Sequence, residues 1–196
     1  YKLCPPTANQ NMLLNGTTLL RREVTKVKDA AARTAVIDSL LTLSDLRAEY
    51  YPKYATAALN AKGKDIFNYV KNDPQKLYDQ FTSIIETLKD DTTPTFYLYR
   101  LNAAIELFNQ GQFDAEKIIN LYQESIAALD TNKEDTEAVP QVKTDVESLF
   151  IASKVASCDN LIALFTPRYE ANPDDVNLVS NIVKMMSVTE GCTSND

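Results

Sequence analysis

Apolar residues recur along this chain at spacings of three and four. Leu13, Leu14, Thr17, Leu20 and Val24 form one such series, and Val36, Ile37, Leu40, Leu41, Leu43 and Leu46 form the next. That is the period of a helix with one buried face, and no stretch alternates cleanly enough to be a strand. Gly and Pro fall at the ends of these runs, where helix punctuation belongs. Cutting at those points predicts about nine helices, at roughly 7–27, 30–50, 54–71, 74–90, 94–110, 114–130, 136–153, 158–171 and 174–188.

Local chemistry supports the cuts. Asp73-Pro74 and Thr93-Pro94 each put a capping oxygen ahead of a proline at the first helical position, where a missing N–H costs nothing. Gly111 suits a left-handed C-terminal cap, and Asp114 then caps the following helix. Asn172-Pro173-Asp174 is a similar tight junction. Loops this short join consecutive helices as antiparallel hairpins.

Every second predicted helix, from 54 onward, begins about 40 residues after the last, which is helical-repeat spacing. The helix at 94–110 is apolar on two sides. Tyr97, Leu98, Leu101, Ala104, Ile105 and Phe108 line one face; Phe96, Tyr99, Ala103 and Leu107 line another. A helix of that kind is sandwiched between neighbours. The expectation is a single all-α domain over residues 1–196, a right-handed solenoid of tandem helical hairpins. Nine helices around one compact core are the alternative.

Several segments carry a resemblance: Leu46 to Pro52, Ala61-Lys62-Gly63-Lys64-Asp65, Gly111-Gln112-Phe113-Asp114, Cys158 to Leu161, Tyr169 to Asn172, and Gly191-Cys192-Thr193. The chain resembles tetratricopeptide-like envelope proteins of anaerobic Gram-negative gut bacteria. The repeat period exceeds the usual 34 residues of a tetratricopeptide, and the strict signature is degenerate. The resemblance implies a helical-repeat fold and an exported location, periplasm or outer-membrane surface. It implies no catalytic residue, since all these segments read as helix seams. Members generally continue further, so the expectation is a segment of a longer repeat array.

Composition narrows the chemistry. Of 196 residues 44% are hydrophobic and 24% charged, a globular profile. There is no His, which removes the usual general base and the commonest transition-metal ligand. A net charge of −7 is the wrong sign for neutralising nucleic-acid phosphates. No apolar run reaches the roughly 18 residues of a membrane span. The adjacent acids Asp90-Asp91, Glu134-Asp135 and Asp174-Asp175 read as solvated caps that complement helix dipoles, without the glycine turn of a calcium loop.

Two candidates remain. Cys158 opens one predicted helix and Cys192 follows the end of the next, so an antiparallel pair brings them together as a disulfide. Its loop of 34 residues would contribute roughly 3–4 kcal/mol and calls for an oxidising compartment. Cys4 reads as a free seam cysteine. Secondly, Tyr97, Tyr99 and Arg100 lie on a helix of the class that lines a solenoid's concave face, with Lys62, Lys64 and Asn68 on the preceding one of that class. Together they form a candidate ligand groove. The expected function is non-catalytic binding of a protein or peptide, with no cofactor and no metal. The alternative is a carbohydrate-binding or uptake accessory protein. An exposed aromatic platform would favour glycan; a charged groove would favour peptide.

Overall fold

The computed structural model describes residues 5–153, 155, 157–189 and 192, without the side chains of residues 164, 177, 181 and 188. Cys4 therefore lies outside the described residues. Among those described, all regular structure is helical: α1 Gln10–Val24, α2 Ala30–Tyr50, α3 Ala55–Tyr69, α4 Pro74–Leu88, α5 Thr95–Asn109, α6 Ala115–Asp130, α7 Val139–Ala152, α8 Cys158–Ala171 and α9 Val176–Val188. Single 3₁₀ turns, Pro52–Tyr54 and Lys89–Asp91, lead into α3 and out of α4.

Side chains at the seams set the helix starts. Asn9, Asp29, Asp73, Asp114 and Ser157 each accept a backbone N–H from the first turn of α1, α2, α4, α6 and α8. Each occupies an otherwise unpaired donor. Asp175 rather than Asp174 caps α9, through the Leu178 N–H at 3.1 Å. At Thr93 the expectation needs correction. No side chain caps α5; the Thr93 N–H instead donates to Asn60 of α3 at 3.1 Å. Gly111 has φ +74°, and Gln112 and Gly111 donate back to Leu107 and Phe108, closing α5 with a double-bonded left-handed cap.

Glycine and proline are not confined to seams. Gly16 lies inside α1, Gly63 inside α3 and Pro167 inside α8. Gly63 has a packing reason. A Cβ built there would stand 2.1 Å from the Phe96 ring, so this glycine lets α5 press against the α3 backbone.

Contacts run between near neighbours in sequence. α3 lies on α1 through Arg21–Asp65 and on α2 through Lys62–Asp45. α5 packs on α3 and α4, and α7 on α5 and α6. α8 rests on α6; α9 contacts α8 and pairs with α7 through Lys184–Glu147. α5 is buried on both predicted sides: Phe96, Tyr97, Leu101, Ala103, Ala104 and Leu107 are all 1% exposed or less. One apolar core extends from Val24 in α1 to Met185 in α9.

Candidate functional site

α3 and α5 lie side by side, joined by aromatic rings. Phe67, 46% exposed, stacks on Tyr99 with ring centres 4.2 Å apart and planes 15° from parallel. Tyr99 meets Phe81 of α4 at 5.5 Å, and Phe81 meets Phe96 at 5.2 Å. Four rings thus run from the surface to the core, ending on the bare backbone of Gly63. The outermost ring is backed by this column, which makes it a stiff apolar contact. Lys64 and Asn68, both exposed, follow the helical period onto the solvent side of Phe67. On α5, exposed Asn102 donates to Glu106 at 3.2 Å.

The six candidate groove residues divide into two sets. Lys64, Asn68 and Tyr99 reach this face. Lys62, Tyr97 and Arg100 do not line an open groove, because they are 4%, 1% and 2% exposed. The Lys62 ammonium is held by both oxygens of Asp45, at 2.7 and 2.9 Å. The Arg100 guanidinium donates to Glu124 at 3.0 Å and to the Ser125 hydroxyl at 3.3 Å, beside the Tyr97 ring. Burial raises the Tyr97 phenol above its usual range. These cations already have carboxylate partners from their own chain.

Phe67 was not singled out in the sequence, where this helix was read for its polar groups, Lys62, Lys64 and Asn68. The signal lay in spacing: it falls four residues after Gly63, one turn from the position where α3 and α5 approach. Tyr50, Tyr51 and Tyr54, grouped around Pro52, lie at the seam between α2 and α3. The Tyr51 hydroxyl donates to the Pro6 carbonyl at 3.0 Å, and the Arg47 guanidinium lies over the Tyr54 ring.

The second pair of candidates is joined as expected. Cys158 and Cys192 form a disulfide with Cα atoms 5.1 Å apart, closing the α8–α9 hairpin. Between these helices lies an open apolar groove of about 470 Å³. The acidic pairs are dispersed. Asp90 binds Lys133 at 3.0 Å and accepts from the Thr131 hydroxyl at 3.0 Å, and these contacts hold its carboxyl below the usual range. Among the described residues no three acids or cysteines converge as a metal site, and no helix is long and apolar enough to cross a membrane.

The fold and these surfaces define an all-α protein with a covalently closed C-terminal hairpin. No protein-family model, curated protein or solved structure matches the chain.

Proposed function

We propose that the protein is a non-catalytic helical-repeat scaffold of the cell envelope, a tetratricopeptide-like solenoid that binds a protein or peptide partner on its α3–α5 face. The observation that carries this reading is the Phe67–Tyr99 stack, an apolar anchor half open to solvent on a rigid ring column. Anchors of this kind concentrate binding energy in protein interfaces. Near-neighbour packing supports the solenoid, with α3, α5, α7 and α9 beginning 40, 44 and 37 residues apart. The Cys158–Cys192 bond supports an oxidising compartment, periplasm or outer-membrane surface.

One observation favours a second reading, glycan binding. The stacked rings are flat, and Lys64 and Asn68 are exposed within one turn of Phe67 on the same helix, while Lys62 and Arg100 are engaged inside. The discriminating experiment presents wild type, Phe67→Ala and Tyr99→Ala protein to envelope extract and to immobilised polysaccharides. Partner capture by wild type that both variants lose supports the protein reading. Polysaccharide retention lost in the same variants supports the glycan reading. Retention of every ligand by both variants rejects the α3–α5 face.

A further inference from the structure

α5 has no anchor of its own at its start. Pro94 stands at the capping position, no side chain caps the first turn, and Lys89 ahead of it holds φ +51°, a backbone conformation that L side chains rarely adopt. The path of the chain into α5 is therefore set from outside. Asn60 of α3, 7% exposed, uses both arms of its amide there: Nδ2 donates to the Asp91 carbonyl at 3.3 Å, and Oδ1 accepts the Thr93 N–H at 3.1 Å. One side chain thus grips the backbone on either side of Thr92. Asn132 holds the residue between, donating to the Thr92 carbonyl at 2.6 Å.

The same two segments meet twice more. Three residues beyond Asn60 and Thr93, Gly63 lies against the Phe96 ring; one turn further on, Phe67 stacks on Tyr99. The contacts climb together, through residues 60, 63 and 67 on one side and 93, 96 and 99 on the other, so α3 and α5 run parallel in a single register. The two upper contacts do not fix that register by themselves. A ring against bare backbone, or a ring on a ring, tolerates sliding and rotation because apolar attraction is non-directional. An amide that donates and accepts at once does not, since hydrogen bonds weaken steeply with distance and angle. Burial of Asn60 keeps water from competing for these bonds.

We infer that Asn60 is the positioning residue of the α3–α5 face: it sets where α5 stands along and around α3, and so places the Tyr99 ring against Phe67. The inference rests on the binding face proposed above and names the group that shapes it. The exposed ring platform then depends on a buried amide about two helical turns away on the same helix.

The test replaces Phe67 by para-fluorophenylalanine in the intact, oxidised protein and follows its fluorine resonance, which the ring current of a stacked Tyr99 displaces. Tyr99→Ala gives the unstacked position. Asn60→Ala, with folding checked by circular dichroism, should carry the resonance at least about half of the way there. Asn60→Asp keeps the acceptor and loses the donor, and should move it in the same direction. Leu161→Ala, a truncation at a fully buried position of α8, controls for lost stability and should leave the resonance in place. An unmoved resonance in the folded Asn60 variants overturns the inference. So does an equal shift in Leu161→Ala, because the stack would then answer to overall stability rather than to Asn60. Ligand capture is a separate readout. If Phe67→Ala retains every ligand while Asn60→Ala still shifts the resonance, the binding face falls and the role of Asn60 stands. Capture lost in Phe67→Ala beside an unmoved resonance in the Asn60 variants keeps the binding face and rejects the role of Asn60.

Discussion

Two charged side chains show how position in the helical period outranks chemical type. Lys62 follows Ala58 and Leu59 by one turn and precedes Ile66 by another, and Arg100 sits in phase between Phe96 and Leu107. Both are in register with an apolar stripe, so folding takes them inside, where each finds a carboxylate. That register was present in the sequence. Read by residue type alone, a lysine and an arginine belong to the solvent face; read by phase, they belong to the core. Arg100→Ala should destabilise by about 2–4 kcal/mol, chiefly through the lost packing of a side chain that is 2% exposed. Glu124→Ala leaves no cavity but strips the buried Arg100 guanidinium of its carboxylate, so it too should destabilise. Urea denaturation of both variants measures the two costs, and a Glu124→Ala protein as stable as wild type would contradict this account. Gly63→Ala should cost about 1–3 kcal/mol by overpacking against Phe96. Adding Phe96→Leu should recover part of that loss, a coupling that a double-mutant cycle measures. Tyr122 stacks on Phe150, and burial, with the nearby Glu147 carboxylate second, pushes its phenol up to about 12. The unfolded chain ionises near pH 10, so stability from this group is whole below that value and is lost as pH rises toward 12. Chemical denaturation over that range should show a fall that Tyr122→Phe lessens.

At the scale of elements, helix existence and order were legible because 3.6-residue periodicity and short capped seams are local properties. The disulfide was legible for a related reason, since a hairpin fixes which ends meet. Less visible was the turn between α4 and α5, where non-local polar contacts set the geometry. Lys89 adopts φ +51° there. Asn60 from α3 binds both sides of the turn, at the Asp91 carbonyl and the Thr93 N–H, while Asn132 from the α6–α7 loop donates to the Thr92 carbonyl at 2.6 Å. The Asn132 side-chain oxygen also accepts the Asp135 N–H at 3.4 Å, which ties the residue into its own loop. Nothing in either asparagine's sequence neighbourhood announces a partner more than 30 residues away. Asn132→Ala leaves the buried Thr92 carbonyl unpaired and should cost about 1–3 kcal/mol, read as a lower melting temperature.

At the scale of the molecule, most contacts between the described helices join elements one or two apart in sequence. Each helix answers to its immediate neighbours, so stability is distributed as a series of local interfaces. The candidate site followed from this only in outline. Helix order correctly brought α3 beside α5, whereas which side chains face outward depended on how far each helix is rotated, which helix order leaves undetermined. Reducing the Cys158–Cys192 bond removes a constraint worth about 3–4 kcal/mol on the chain-entropy account. Hydrogen exchange should then show faster amide exchange in α8 and α9 while α3 to α5 keep their protection. Uniform acceleration across all helices would mean that the molecule opens as a single unit.

The same bond changes what a protease can accomplish. Residues 172–175 connect α8 to α9, the first three of them exposed, and both flanking helices lie inside the covalent loop. A nick there leaves two polypeptides still fastened to each other. The severed α9 remains attached through Cys192 to Cys158, so cleaved and intact protein should migrate alike until a reducing agent separates the pieces.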